Sequence, residues 1–250
     1  MRPTLLAMLM LLTPSFVAAQ APAGAPPPAA PPGPPPRWER KAELSLVSTG
    51  GNTDTQTLGL GATVIFRPGV WTTEARAAFV RSENQSIETA RSLTADFREA
   101  RALSPRAELF ARYGYVSDRF AGIDHRSTVD GGFGYKLLVG PVHMLRADAG
   151  LGYTSEARTV GDDVSFAVAN FGSTYKWQIS KTADFSDAAL LTASLSSSDR
   201  WRFNNALALT AAITRVLSLK LSHDIKFNNA PVTGFEKTDR ITSAAVVARF

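Results

Sequence analysis

The chain contains no cysteine. That excludes disulfide staples, thiolate metal sites and anchoring through a lipidated cysteine. It has no apolar run long enough to cross a bilayer as a helix, which takes about 20 residues. The apolar run nearest the start, Thr4 to Leu12, falls well short of that, and later segments are broken by charge. A helical inner-membrane protein is therefore excluded. Histidines are few. His125, His143 and His223 are far apart, and neither His143 nor His223 has a second ligand two or four residues away on its strand face, so no metal site is expected. Basic clusters with interleaved aromatics are also missing. The formal net charge is +5, but Lys and Arg alternate with acids along the chain, so no nucleic-acid partner is expected. No cofactor is expected either.

What is present falls into three parts. Met1-Arg2-Pro3, the apolar run behind it and the small residues Val17-Ala18-Ala19-Gln20-Ala21 have the pattern of a secretory signal peptide, residues 1–21. Residues 22–36 are almost only Pro, Ala and Gly. Such a stretch cannot bury a core and reads as an extended periplasmic linker. Residues 37–250 carry everything else.

From Trp38 onward the hydrophobic period is two. The clearest case sets Leu217, Leu219, Leu221, His223, Ile225 and Phe227 against Ser218, Lys220, Ser222, Asp224 and Lys226. Twelve strands are expected, at 38–50, 55–67, 70–82, 88–101, 106–117, 125–139, 142–155, 163–178, 183–196, 200–214, 216–228 and 238–250. Each is long enough to cross about 30 Å of hydrocarbon at a tilt, whereas soluble strands average about five or six residues. The connectors alternate. Arg67-Pro68-Gly69, Leu103-Ser104-Pro105, Gly140-Pro141, Ser180-Lys181-Thr182 and Thr214-Arg215 are tight, and Ser82 to Ile87, Asp118 to Asp124, Ser155 to Asp163, Ser197 to Arg200 and Asn228 to Thr238 are longer. Short turns at one end and long loops at the other predict an all-β, closed antiparallel transmembrane barrel of the bacterial outer membrane. Both the linker and the C-terminus would then be periplasmic. Aromatic residues sort into two belts. Trp38, Phe66, Trp71, Tyr135, Tyr175, Trp177, Phe185 and Phe250 fall near the short turns, and Phe79, Tyr113, Tyr115, Tyr153, Trp201, Phe203 and Phe227 near the loops.

The face opposite the apolar one carries charge of both signs. Glu74, Arg76, Asp96, Arg98, Glu108, Arg112, Asp124, Arg126, Asp130, Lys136, Arg146 and Asp148 are expected to form a lattice of ion pairs in the lumen. The lattice either fills and stiffens the barrel or borders a narrow polar pore. A water path, if present, is expected beside the smaller residues Thr192, Ser194, Ser196, Asn204, Thr210 and Ser218.

Three constellations offer other chemistry. Gly50-Gly51-Asn52-Thr53-Asp54 reads as a tight hairpin, since a calcium site needs six or more oxygen ligands and this copy lacks the carboxylates. Asp162-Asp163, with Glu156 nearby, reads as a solvated loop, a divalent-ion or lipopolysaccharide bridge being the alternative. His125 and Ser127 share a strand face at the spacing of a surface lipid hydrolase of the outer-membrane phospholipase A type. Asp124 and Asp130, however, are expected on the opposite face, leaving no group to orient the base.

The segment Leu46 to Thr55, the strand with Gly59 and Gly61, and the terminal Phe250 resemble the salt-induced outer-membrane proteins, a family long treated as a domain of unknown function. The resemblance covers about Trp38 to Phe250. It implies a monomeric-looking barrel with no established catalytic or ligand residues. The partners expected are outer-membrane lipid, lipopolysaccharide and, through Phe250 as an assembly signal, the barrel assembly machinery. The reading is thus a non-enzymatic envelope barrel, structural or a narrow channel, with a tie to salt stress. The alternative is the lipid hydrolase.

Overall fold

The structure is a computed structural model that describes residues 36–49 and 55–250. The signal peptide, nearly all of the linker and the Gly50 to Asp54 hairpin lie outside the described residues.

Period-two alternation builds the expected twelve strands: β1 (Trp38–Thr49), β2 (Thr55–Phe66), β3 (Trp71–Asn84), β4 (Ile87–Ala102), β5 (Ala107–Asp118), β6 (Ile123–Val139), β7 (His143–Arg158), β8 (Val164–Gln178), β9 (Ala183–Ser194), β10 (Trp201–Ala212), β11 (Leu217–Asn228) and β12 (Thr238–Arg249). Each pairs antiparallel with its sequence neighbours, and β1 pairs with β12, so the sheet closes into a barrel. The closing seam is short. It runs from Lys41↔Arg249 to Leu44↔Val246. Beyond it, the Ser45 hydroxyl donates to the Ala244 carbonyl at 2.7 Å and the Phe250 amide to the Arg40 carbonyl at 3.1 Å.

The loop-bearing rim departs from expectation in two places. Ser82 to Ile87 is not a long loop: β3 and β4 run on to Asn84 and from Ile87, leaving Gln85 and Ser86 with positive φ of 49° and 63°. Two such residues make a tight turn whose twist matches the flanking strands. Likewise β7 continues to Arg158, so Glu156 belongs to a strand and not to a loop. The short 3-10 turn Arg119–Ala121 links β5 to β6.

Side chains alternate between two environments. One set faces outward and is apolar and exposed, for example Leu44, Leu60, Phe97, Leu109, Val129, Leu151, Phe171, Leu221 and Val246. A girdle of this extent is not what a soluble monomer shows. Several polar groups within it are paired. Asn205 donates to Asp187 at 2.6 Å, and the rings of His223 and His143 meet Thr242 and Tyr175, each at 2.8 Å. Belt aromatics also pair, Trp38 on Phe66 at 4.1 Å and Trp201 on Phe227 at 4.8 Å between ring centres. No described helix is long and apolar enough to cross a membrane.

Strands β6 and β7 approach so closely at Gly132 that a Cβ there would collide with the Ala149 carbonyl oxygen and meet Gly150 Cα at 2.5 Å. Both obstacles are backbone and cannot swing away. Gly132→Val is expected to abolish the compact, heat-modifiable band of the folded barrel on unboiled SDS gels. A normal folded band would show that the strands tolerate the wider spacing.

Candidate functional site in the barrel lumen

The inward positions of β3 to β7 carry the ion-pair lattice. Arg98 and Arg112 lie opposite each other on β4 and β5. Arg98 bonds Glu108 at 2.6 Å and approaches Asp148 at 3.6 Å. Arg146 meets the same two acids, at 3.6 and 3.2 Å, and Lys136 reaches Glu108 at 3.9 Å. Arg112 grips Asp130 with two hydrogen bonds, 2.9 and 2.6 Å, the planar fork geometry that suits a carboxylate. Glu74 pairs with Arg76. The guanidiniums of Arg98 and Arg112 also lie 4.7 and 5.8 Å from the centre of the Phe110 ring. Asp96 makes no ion pair within 4 Å among the described residues and lines open space instead.

One expected lattice member lies outside the lumen, and another pairs in a different part of it. Asp124 is not in the lumen lattice. The register slips between Ile123 and His125, which frees Asp124 from strict alternation, and it pairs at the exposed rim with Arg119 at 3.0 Å and His125 at 3.3 Å. Arg126 joins a second cluster that sequence reasoning missed. There Glu156, 3 % exposed, accepts from Arg126 at 2.6 Å, Arg158 at 2.8 Å and Arg202 at 3.0 Å. The signal was present. Glu156 and Arg158 continue the alternation of Gly152 and Thr154 on β7, and Arg202 precedes Asn204 by two on β10.

Three more pairs cross one or more strands. Lys220 reaches Glu43 at 2.8 Å, Lys226 on β11 reaches Asp118 on β5 at 3.8 Å, and Arg249 on β12 reaches Asp184 on β9 at 3.5 Å. The last spans the two strands that carry Thr210 and Ser218, both buried. The expected water path therefore does not follow those residues, and Thr192 is buried as well. Of the six side chains expected there, only Asn204 lines the main cavity.

That cavity measures about 730 Å³. It borders the lattice at Arg76, Asp96, Arg98 and Arg112, and its other wall is formed by Glu43, Ser45, Gly59, Gly61, Lys220, Ser222 and Asp224 from β1, β2 and β11. Residues of all twelve strands border it, long charged side chains and short ones alike. At the loop-bearing rim the β11–β12 connector folds inward. Val232 is 3 % exposed, and Val232 and Phe235 sit so close to Gly122 (φ 77°) that a Cβ there would come within 2.8 Å of both.

The His125 and Ser127 pair is not assembled as a nucleophile and base. Ser127 Oγ lies 3.2 Å from the Tyr113 hydroxyl, and His125 turns to Asp124. Asp162 and Asp163 are exposed, and Asp163 accepts the Arg158 amide at 3.1 Å. Glu156 points into the lumen, away from them.

The model of a family described as "Protein of unknown function, DUF481" matches residues 42–250. Among curated proteins, the chain is 23 % identical over 151 residues to the uncharacterized protein YdiY of Escherichia coli strain K12. The match takes in 60 % of this chain and spans 59 % of that relative's length. Among solved structures, an outer membrane channel from Pseudomonas putida F1 superposes with a TM-score of 0.50 at 12 % identity, covering 90 % of this chain and 100 % of that one. The NanC porin gives 0.48 at 10 % identity, with 85 % and 97 % covered. The likeness to the Pseudomonas putida channel shows the barrel fold.

Removing one partner of a buried pair strands a charge, at a cost of about 3–5 kcal/mol. Asp130→Asn, which leaves Arg112 without its carboxylate, is expected to lower stability by that order, read as a shift of the urea unfolding midpoint in detergent. Replacing both with Arg112→Met and Asp130→Leu should recover most of the loss. A double variant as weak as the single one would show that the pair itself contributes the stability.

Proposed function

The chain belongs to the DUF481 family, and we propose that it is a non-enzymatic outer-membrane barrel of the Gram-negative envelope whose narrow lumen passes ions or small polar solutes. One observation carries the reading: a cavity of about 730 Å³ lies inside a closed barrel and is bordered by charged side chains such as Glu43, Arg76, Asp96 and Lys220 among small and apolar residues. A barrel meant only as a strut has no need of open polar space. Twelve strands make a tube wider than eight, where side chains just fill the interior. The apolar girdle supports a bilayer location, and the channel fold of the Pseudomonas putida protein supports the class.

In this reading the short turns face the periplasm and the loops face outward, as in other transmembrane barrels. Outer-membrane lipid and lipopolysaccharide surround the girdle. The signal peptide directs export, and the Pro-rich linker tethers the barrel on the periplasmic side. The tie to salt stress rests on the family resemblance. The lipid-hydrolase alternative has less support, because Ser127 is hydrogen-bonded to Tyr113 and not to His125.

Refolded protein in planar bilayers is expected to show discrete ionic conductance. Arg76→Ala should raise it by widening the cavity, and so should replacing residues 230–236 with a short Gly-Ser turn. A bilayer that stays silent with all three proteins would leave the barrel a structural element. Phe250 tests the assembly role separately. Its deletion should reduce insertion in cells far more than refolding in detergent, and equal yields in cells would remove that role.

A further inference from the structure

Positive charge is not shared evenly between the two ends of the barrel. At the short-turn end Arg37, Arg40, Arg101, Arg106, Lys181 and Arg215 are all exposed, and no described ion pair includes any of them. Outside the lumen lattice, the acidic side chains described there are Glu39, Glu99 and Asp184, and each is engaged. Glu39 pairs with Lys41 and Arg67, Asp184 pairs with Arg249, and Glu99 accepts the Thr73 hydroxyl. The loop end is balanced. Its exposed Arg81, Arg91 and Arg119 each bond a carboxylate, and Asp162, Asp163, Asp199 and Glu236 add further acid. The surplus of surface cations therefore lies at one end.

A second observation fixes the depth of part of that surplus. Three of the six cations lie over belt aromatics: Arg37 is 5.3 Å from the centre of the Phe66 ring, Arg40 is 4.9 Å from Trp38 and Arg101 is 5.8 Å from Trp71. Arg40 stands beside Val64 on the outward face, and Arg101 stands opposite Trp71 across β3 and β4. Belt rings settle where hydrocarbon meets headgroups. These guanidiniums are thus held at the depth of lipid phosphates, on the girdle and not in the lumen. Arginine keeps its charge there, and its planar fork suits a phosphate. A zwitterionic headgroup brings a cation of its own, which the neighbouring guanidiniums repel. An anionic headgroup brings none.

We propose that the outward face of β1 to β4 at the short-turn end binds anionic phospholipid of the phosphatidylglycerol class, with Arg37, Arg40 and Arg101 on its phosphates and Trp38, Phe66 and Trp71 beside them. The inference rests on the bilayer location and orientation proposed above, which put this face in the periplasmic leaflet. It is independent of conduction: it holds whether the lumen passes ions or is shut. An anionic polymer docking on the turns would instead need Arg106, Lys181 and Arg215.

Phosphatidylglycerol and phosphatidylethanolamine, offered in equal amounts to the full-length folded barrel in detergent, are the probes. Native mass spectrometry should find phosphatidylglycerol retained several-fold more than phosphatidylethanolamine, with the preference shrinking as salt rises. The triple variant Arg37→Gln, Arg40→Gln and Arg101→Gln should retain both lipids equally. These side chains make no described ion pair, so the variant is expected to give the normal folded band on unboiled gels. The triple variant Arg106→Gln, Lys181→Gln and Arg215→Gln should keep the wild-type preference. Equal retention by the wild-type protein overturns the proposal, and so does a preference that survives the first triple variant or disappears in the second. A wild-type chain that cannot be inserted into bilayers of either lipid would sink the membrane reading itself, which separates that failure from a folded barrel without lipid preference.

Discussion

A strand surrounded by hydrocarbon has no water to satisfy its amides, and that constraint governs the whole structure. Every N–H and C=O must find a partner in the sheet, so the sheet has to close. Closure fixes the rest. Strands must be long, neighbours must be antiparallel hairpins, and side chains must alternate between apolar outside and whatever the interior tolerates. The same rule reaches the few outward polar groups. Asp187, His143 and His223 each sit against a hydrogen-bonding neighbour, which is how polar atoms are tolerated where water is scarce.

The interior obeys the opposite logic. There charge is allowed because it is paired, and the pairs are shared: Glu108 and Asp148 each serve more than one guanidinium. Replacing any one member changes the neighbours of several others. The network is concentrated on β4 to β7, and Lys220 and Glu43 add a further pair between β11 and β1. The cavity between them is lined from all twelve strands.

The barrel was legible in the sequence because its two periods are simple. Alternation marks the strands, and turn residues mark their ends. All twelve strands fall within three residues of the expected positions. The lumen was less legible because alternation tells which side a residue faces and not how far it reaches. Thr210 and Ser218 do face inward, yet Arg249 and Asp184 meet above them. Asp124 escaped because a slipped register is invisible to a strict period of two. Glu156 escaped because a polar end of a strand looks like a loop until it is seen packed against arginines, and Arg202, inside the expected strand 200–214, because its acid partner lies on a distant strand. The β11–β12 connector, read only as a polar stretch, carries Val232 and Phe235 back onto Gly122.

The junction between first and last strands is held by a ladder that ends at Leu44 and Val246, where every other neighbour pair is joined over most of its length. A cylinder fastened mainly near one hem has a direction in which it comes undone. Tension on either end of the folded tube would peel that fastening first, and the eleven remaining joints would stay a curled sheet until it gave way. The first and last strands are therefore both the clasp of the cylinder and its weakest mechanical point.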